Sequence, residues 1–356
     1  MTALEKALVA PRNLSVEEIA ALLTSADDGL WREAFAAAWE IKTRCGKTEV
    51  LPRGLIECSN VCAKNCLYCG IRKGNGKAVR YQMPEDDVCA CIDEARRRGY
   101  PAVAFQAGEI ESEANTAYYE RLLAYAKPLE VTLSLGEQTE EVYRRWKEAG
   151  AMRYLIRIET SNRELYAKIH PAECSYERRV ECIRTLKRLG YVTGSGVMIG
   201  LPGQTIDDLA CDIVFFGAEN LDMVGMGPYI AHPDSQLPDS NYQLPTANYQ
   251  LPTANCQLPT TNYQLPTTNC QLPTTNYQLA LRMIALTRLY LWNVNIVAAT
   301  ALEALDPESG RNRGIEAGAN VIMPNLTPEK YRANYDLYPG KTTALSSKLE
   351  STGETQ

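Results

Sequence analysis

Eight short apolar segments separated by helical patterns constrain the fold of this chain more than any other feature. Each segment has the length of a buried strand, and the spacing of apolar residues between segments is typical of amphipathic helices. Strands that alternate with helices in this way favour an α/β fold, a complete (β/α)8 barrel of TIM type. The predicted strands lie at 54–58, 102–107, 131–135, 154–158, 196–201, 223–230, 296–300 and 320–324.

The first fifty residues predict helices that cap this barrel. Ser15 followed by Glu18 has the form of a capping box at a helix N-terminus. We therefore assign residues 1–50 to an N-terminal helical cap. Residues 51–235 and 280–341 are assigned to the barrel, because the strand and helix patterns fall within them.

A tandem heptapeptide interrupts the pattern after the sixth predicted strand. The unit Asn-Tyr-Gln-Leu-Pro-Thr-Ala begins at Asn241 and recurs five more times with few changes. A proline in every unit forbids a continuous helix, and one leucine per unit cannot build a core. We predict an extended, passive insertion at 236–279, with a partner-binding or metal-binding loop using Cys256 and Cys270 as the alternative. A polar tail is predicted at 342–356.

Composition excludes several functional classes. Hydrophobic residues make up 45% of the 356 residues, which is enough for a sizeable core, and the formal net charge is −6. A negative net charge does not favour nucleic acid as a partner. The sequence contains no run of eighteen apolar residues, so no membrane span is predicted. Twelve cysteines, without a signal-like hydrophobic start, predict a cytoplasmic protein in a reducing compartment.

Three cysteines in one short run predict an iron–sulfur centre. Cys62, Cys66 and Cys69 directly follow the first predicted strand, at spacings of four and three residues. Three thiolates can bind three irons of one [4Fe–4S] cube and leave the fourth iron open to a small molecule. A zinc site, a disulfide or chance are the alternatives. Zinc usually takes four protein ligands, and neither His170 nor His232 lies near the triad in sequence.

Polar residues at the ends of the next strands are candidates for holding that small molecule. Gly108 and Glu109 end the second strand, where glycine lets a ligand approach the backbone and a carboxylate can bind an ammonium group. Ser134 ends the third strand and offers a hydroxyl. Arg157 and Glu159 end the fourth strand on one face, where they either bind a ligand or pair with each other.

Methionines on the later strands are further candidates. Met198 lies in the fifth predicted strand, and Met223 and Met323 are expected near the ends of the sixth and eighth. Methionines in such positions belong to the core more often than to a pocket, so both interpretations stay open.

Together, several runs of this sequence resemble the HydE family of FeFe-hydrogenase maturases, which are radical S-adenosylmethionine (SAM) enzymes. The resemblance covers roughly residues 50–235 and 280–341. The runs that carry it are Ile56–Cys62, Cys66–Gly70, Ser134–Glu137, Gly200–Leu209, Asp222–Gly225, His232–Asp234 and Ala319–Asn325.

The resemblance implies a [4Fe–4S] cluster on the three cysteines, with SAM bound at the open iron. It implies that the backbone of Tyr68 meets the adenine and that Glu159 and Arg179 hold the SAM ribose and carboxylate. The full set of expected cofactor contacts is Tyr68, Gly108, Glu109, Ser134, Glu159, Arg179, Met198 and Met223.

The resemblance also implies an activity and partners. SAM would be cleaved reductively to a 5′-deoxyadenosyl radical during assembly of the hydrogenase di-iron subcluster, from a small iron–cysteine–carbonyl–cyanide precursor. Arg157 and Glu159 would be catalytic, and Arg157, Thr300 and Met323 would contact the substrate. Relatives often have a second threonine at the position that Ala299 occupies in this chain. Expected partners are HydG-type and HydF-type maturases and a ferredoxin or flavodoxin as electron donor.

Two other functions remain open at this point. One is a lysine mutase similar to methylornithine synthase, and the other is a non-catalytic scaffold that carries an iron precursor. Biotin synthase is less favoured, because strands two to five carry no cysteine for its second cluster. No cysteine follows Cys270, so no accessory cluster near the C-terminus is expected.

Overall fold

The computed structural model describes residues 1–237 and 275–341. At its centre is a parallel barrel, closed because the strand order runs from β5 through β1 to β9, β8 and β7, and β7 pairs again with β5. The predicted (β/α)8 barrel is therefore confirmed. The strands are β1 (Leu51–Ser59), β2 (Ala102–Ala107), β3 (Glu130–Ser134), β4 (Ala151–Leu155), β5 (Val192–Ser195), β6 (Met198–Ile199), β7 (Met223–Pro228), β8 (Asn295–Ala298) and β9 (Val321–Ile322).

Helices surround the barrel and form its outer layer. None of the helices in the described ranges is long and apolar enough to cross a membrane. They are α1 (Ala3–Val9), α2 (Val16–Thr24), α3 (Asp28–Arg44), α4 (Glu85–Arg97), α5 (Glu113–Ala126), α6 (Glu140–Ala149), α7 (Arg163–Ile169), α8 (Tyr176–Arg188), α9 (Ile206–Ala218), α10 (Thr275–Leu291), α11 (Thr300–Leu305), α12 (Gly310–Glu316) and α13 (Glu329–Arg332).

Local sequence explains where several helices begin. The Ser15 hydroxyl accepts a hydrogen bond from the Glu18 amide at 3.2 Å, and the Glu18 carboxylate accepts one from the Ser15 amide at 2.9 Å. This is the predicted capping box, and it starts α2. The Thr139 hydroxyl accepts a bond from the Val142 amide at 3.3 Å and starts α6. These side chains satisfy amides that the first helical turn leaves unpaired.

The three N-terminal helices belong to the outer layer of the barrel. Helix α2 packs against α9, and α3 packs against α10. Trp31 is buried in this contact, and the Arg282 guanidinium lies 4.5 Å from the centre of its ring. Arg282 also donates a hydrogen bond to the Leu23 carbonyl at 3.0 Å. Residues 1–50 therefore pack on the outside of the barrel near its sixth and seventh strands.

Two predicted strands are displaced in the structure. Strand β4 ends at Leu155 rather than at residue 158, and β5 covers Val192–Ser195 instead of 196–201. The β5 ladder stops at Gly196, where an added Cβ would lie 1.7 Å from the Gly225 carbonyl oxygen. Within the apolar run that follows, Met198–Ile199 forms β6, which pairs with Gly227 and Pro228 of β7. The strand predicted at 196–201 is therefore present as two residues beyond the break at Gly196.

The last repeat unit takes part in the fold. Residues 275–279 were expected in the insertion, yet they form the first turn of α10, with Tyr277 and Leu279 fully buried. Ala280 follows Leu279 where the other units have proline, so the helix can continue. The remaining units, at 238–274, lie outside the described residues, as does the tail at 342–356.

A short seam closes the barrel. Strand β9 contributes Val321, which pairs with Val297 of β8 on one side and with Leu51 of β1 on the other. The only other ladder pair of β9 among the described residues joins Ile322 to Pro52. Beyond β9, Leu55 continues the seam through a parallel bridge to Asn325 and hydrogen bonds with Pro324 and Leu326. This segment therefore joins an early strand to a late one.

Candidate active site

The barrel encloses a cavity of about 360 Å³, and its wall contains every residue proposed from the sequence. The carboxyl ends of the strands carry the cysteine loop, and the opposite end of the cavity is lined by Arg53 and Asn295. Active sites of such barrels lie at the carboxyl ends. The residues from the sequence prediction are Cys62, Cys66, Cys69, Tyr68, Gly108, Glu109, Ser134, Arg157, Glu159, Arg179, Met198, Met223, Thr300 and Met323.

The cysteine loop, residues 60–80, is held in place by one arginine. The Arg80 guanidinium donates hydrogen bonds to the carbonyl oxygens of Asn60 and Ile71, both at 2.7 Å, and of Arg72 at 2.6 Å. These carbonyls lie before and after the three cysteines. A single rigid cation therefore fixes both ends of the loop, which a planar guanidinium with five donors can do.

The three thiols sit in an environment that disfavours their ionisation. Burial raises the pKa of Cys62 and raises that of Cys69 to about 12. A hydrogen bond with the Cys174 thiol, together with burial, raises the pKa of Cys66 well above its ordinary value. Thiolates in this loop therefore need a cationic centre to stabilise them. Cys174 was missed by the sequence prediction, because it lies over a hundred residues away along the chain.

The donor set suits an iron–sulfur cluster. All three cysteines are free and half-buried and face the cavity. Within residues 1–237 and 275–341, no three histidine, cysteine or acidic side chains are grouped to hold a single metal ion. A [4Fe–4S] cube needs one thiolate at each of three irons, whereas a structural zinc site usually takes four protein ligands.

Gly108 lets the end of β2 approach the cysteine loop. An added Cβ would lie 2.3 Å from the Val61 carbonyl oxygen and 2.7 Å from the Cys62 Cβ, closer than real side chains come. The sequence prediction assigned this glycine to the approach of a ligand. The structure shows that the contact between two protein backbones already requires it.

Two carboxylates and two cations form a network beside the triad. The Lys64 ammonium lies 3.2 Å from Glu109 Oε1 and 3.6 Å from Glu137 Oε2. Glu109 Oε2 accepts the Glu137 amide proton at 2.8 Å, and Arg179 Nε donates to Glu137 Oε1 at 2.6 Å. Lys64 and Glu137 were not predicted as site residues, although both lie within or beside the motifs that were.

Burial and charge act differently on these two carboxyl groups. Burial raises the pKa of Glu109. Burial also opposes ionisation of Glu137, but the charge and hydrogen bond of Arg179, together with the charges of Lys64 and Arg178, lower the pKa of Glu137. Glu137 is thus held as an anion. Glu109 is a carboxyl group whose ionised form a further cation would stabilise.

Arg157 and Glu159 form a mutual ion pair in the cavity wall. Their closest atoms, Arg157 Nη2 and Glu159 Oε2, are 2.8 Å apart. Arg157 also donates to the Val197 carbonyl at 2.9 Å. The pair lies beyond the end of β4 and not on the strand as predicted, and Glu159 has a positive φ of 66°. This strained backbone turns the carboxylate towards the arginine.

Beside the predicted Thr300, the cavity wall contains Tyr338 and Lys341, which the sequence prediction missed. The Thr300 hydroxyl lies 2.5 Å from the Tyr338 hydroxyl, and burial raises the pKa of Tyr338 to about 12. Lys341 forms an ion pair with Glu57, and both side chains are almost fully buried. No local pattern could have identified them, because their partners are distant in sequence.

The methionines do not all lie where they were expected. Met198 belongs to β6 and Met323 follows β9, both towards the carboxyl ends of the barrel strands. Met223 is the first residue of β7 and therefore lies at the opposite end of the barrel from the cysteine loop. The prediction that Met223 lies near the carboxyl end of its strand is wrong, because Met223 pairs with Gly194 at the start of the β7 ladder.

His170 positions the aromatic residue of the cysteine motif. Its Nδ1 lies 2.9 Å from the Tyr166 carbonyl, so this nitrogen carries the proton, and Nε2 lies 3.3 Å from the Tyr68 hydroxyl. Burial lowers the pKa of His170 to about 4. A neutral imidazole therefore accepts a hydrogen bond from the Tyr68 hydroxyl at neutral pH and fixes the ring next to Cys69.

Comparisons with known proteins place this chain among the radical SAM proteins. The model of the radical SAM superfamily matches residues 56–212. A protein of Thermotoga maritima named [FeFe] hydrogenase maturase subunit HydE is 40% identical over 331 residues, which cover 93% of this chain and 85% of that protein.

Two solved structures show the same fold at low sequence identity. Methylornithine synthase, PylB, has a TM-score of 0.73 at 18% identity, with 90% of this chain and 85% of that one covered. The maturase HydG of Carboxydothermus hydrogenoformans has a TM-score of 0.70 at 16% identity, with 95% and 71% covered. Both likenesses establish the barrel shared by the three chains.

Proposed function

This chain belongs to the HydE family of radical SAM hydrogenase maturases, and from this premise we propose how its cavity acts. A [4Fe–4S] cluster held by Cys62, Cys66 and Cys69 would supply the electron that cleaves SAM to a 5′-deoxyadenosyl radical. One observation supports this most directly. Three free thiols, an acidic network and an arginine–glutamate pair line a single cavity inside a closed barrel.

The chain's own residues would bind and orient SAM. Glu109 is the carboxylate best suited to the SAM ammonium group, because it is buried and its present cation is a long, movable lysine. Arg179 remains charged and would hold the carboxylate with help from Ser134. Glu159 would accept hydrogen bonds from the ribose, and the Tyr68 backbone would meet the adenine. Gly108 and Met198 would complete this wall.

The space beyond SAM would receive a small anionic substrate. Burial opposes the charge of Arg157, but the charge and hydrogen bond of Glu159, together with Tyr68 and Tyr338, raise the pKa of Arg157, so it keeps its charge. With Thr300 and Met323 it offers a cation, a hydroxyl and a soft apolar contact in the same cavity. An iron–cysteine–carbonyl–cyanide precursor delivered by a HydG-type maturase fits this chemistry, with product passing to a HydF-type partner. A ferredoxin or flavodoxin would supply electrons.

The decisive test is SAM cleavage by the full chain. The cluster is reconstituted without oxygen, SAM and a reductant are added, and 5′-deoxyadenosine is quantified. We expect product from the unaltered protein and none from Cys69→Ser. The matched control is Cys211→Ser, because Cys211 is exposed and lies outside the cavity. An intact cluster that yields no 5′-deoxyadenosine contradicts the proposal and favours a non-catalytic iron scaffold.

The same assay distinguishes the two substrate classes. The iron precursor and free lysine are each added, and consumption is measured against 5′-deoxyadenosine formed. Turnover of the iron precursor supports the maturase function, whereas formation of methylornithine from lysine would show that the chain acts as a lysine mutase.

A further inference from the structure

The turn after β4 is held in a conformation that its own sequence does not favour. Glu159, which lines the cavity, has a positive φ of 66° although it is not a glycine. A side chain in this backbone region persists only where neighbouring groups fix it. On one side of the turn, the Glu159 amide donates to the Gly196 carbonyl at 2.9 Å, and the Glu159 carbonyl accepts the Met198 amide at 3.0 Å.

Helix α9 supports the other side of the turn through two acidic side chains that lie one helical turn apart. Asp212 Oδ1 accepts a hydrogen bond from the Ser161 amide at 2.6 Å. Asp208 Oδ1 accepts one from the Asn162 side-chain amide at 2.7 Å. Ser161 and Asn162 follow Glu159 by two and three residues, so these bonds fix the backbone just beyond it.

The bond to Asp212 is not part of a helix cap. Helix α7 is already capped by Asn162, whose side-chain oxygen accepts the amides of Glu164 at 2.9 Å and Leu165 at 3.1 Å. Ser161 precedes that cap, so its amide lies outside the helix. Asp212 therefore holds the connection that leads to α7 rather than the first turn of the helix.

Asp212 lowers the stability of the fold in the place where it lies. Its side chain is fully buried, and Asp212 Oδ2 has no hydrogen-bond partner among the residues that the structure describes. Burial raises the pKa of Asp212 to about 7; hydrogen bonding from Ser161 opposes this, and the charges of Asp208 and Glu159 add to it. Buried carboxyl groups of this kind cluster at functional sites.

We propose that Asp212 is a positioning residue for the adenosyl ribose, because it fixes the turn that directs the Glu159 carboxylate at the ribose hydroxyls. The inference rests on the proposed function, in which Glu159 binds the ribose of SAM. A carboxylate accepts bonds from two neighbouring hydroxyls only while its direction is fixed. Arg157 also attracts this carboxylate, at 2.8 Å. Support from α9 keeps the backbone of the turn in place while ligand and arginine compete for the same group.

The test is a double-mutant cycle that combines Asp212→Leu with Glu159→Gln in the cluster-loaded full chain. The probe is S-adenosylhomocysteine, which carries the same ribose and is not cleaved, and its Kd is measured by equilibrium dialysis without oxygen. Asp212→Leu removes the acceptor of the Ser161 amide, so we expect the Kd to rise about tenfold. In the Glu159→Gln background the same change should have almost no effect, because the two residues act as one unit.

Two further variants separate positioning from a purely structural role. Asp212→Asn is the conservative rescue, because its side-chain oxygen can still accept the Ser161 amide, and its Kd should stay close to that of the unaltered protein. Asp306→Leu is the matched control. Asp306 is also buried, and its Oδ1 accepts the Ser309 amide at 3.0 Å at the end of α11, not at the Glu159 turn. This control should lower the unfolding free energy without changing the Kd.

Iron and sulfide content and the unfolding transition show that each variant is loaded and folded, and Asp212→Ala replaces Asp212→Leu if the latter does not fold. An unchanged Kd in the Asp212 variant overturns the positioning role. So does an equal rise in Asp306→Leu, or a tenfold rise that persists in the Glu159→Gln background. Failure of the proposed function differs from all of these, since the unaltered cluster-loaded chain would then not bind S-adenosylhomocysteine, and the role of Asp212 would fail with it.

Discussion

Replacing Gly108 with alanine tests whether the contact between β2 and the cysteine loop sets the position of the cluster ligands. The new Cβ would lie 2.3 Å from the Val61 carbonyl oxygen, whereas ordinary contacts begin near 3.4 Å. The backbone must therefore open by roughly 1 Å, and overpacking of this kind costs about 1–3 kcal/mol in the free energy of unfolding. Because Cys62 follows Val61, the same movement displaces a thiol by more than the ~0.5 Å that a preorganised site tolerates.

The assay compares the unfolding free energy of the cluster-free protein with its iron and sulfide content after reconstitution. Gly108→Ala should lower both. Gly76→Ala is the matched control, because it lies in the same loop and an added Cβ there meets no atom within 4 Å. It should leave both quantities unchanged. A Gly108→Ala protein with native stability and full iron content would refute the reasoning, since the loop would then have accommodated the Cβ at no cost.

Two further predictions concern buried charge. Lys341→Met leaves Glu57 buried without its cation and should lower the unfolding free energy by about 3–5 kcal/mol in urea titrations, whereas adding Glu57→Gln should restore most of it. An equal loss in the single and double variants would show that the pair is not the cause. The folded pKa of His170 is about 4 against an ordinary 6.5, so the unfolded chain takes up this proton first. Stability should therefore fall as pH drops from 6.5 to 4, by up to about 3 kcal/mol, and His170→Gln should flatten this loss. The same pH slope in both proteins would assign it to other groups.

The parts of the structure that sequence predicts well are those decided by nearby residues. The capping box at Ser15 and Glu18 needs only a four-residue segment, and it starts α2 as predicted. The alternation of strands and helices likewise predicted the barrel, because each apolar run had to be covered on both faces.

Other features depend on contacts that no local pattern contains. The fifth strand was predicted as one run at 196–201, but the approach of Gly196 to Gly225 divides it into β5, which ends at Ser195, and the two-residue β6. Lys341 and Glu57 are separated by 284 residues, so their pairing follows from the closed fold alone. The cysteine spacing located the candidate site, and the strand ends supplied most of its wall. The charge network of Lys64 and Glu137 could be identified only from the folded structure.

The seam between β1 and β9 also has a consequence for synthesis. Leu51 emerges from the ribosome early, while its ladder partner Val321 is made 270 residues later. Until β9 is made, the side of β1 that faces away from β2 has unpaired amides and carbonyls. The cysteine loop follows directly from this strand. Contacts between residues so far apart form slowly, and open sheet edges in nascent chains attract other strands. A nascent chain that stalls before Asn320 would therefore leave the edge of β1 exposed. The arrival of β9 covers this edge and protects the chain from aggregation.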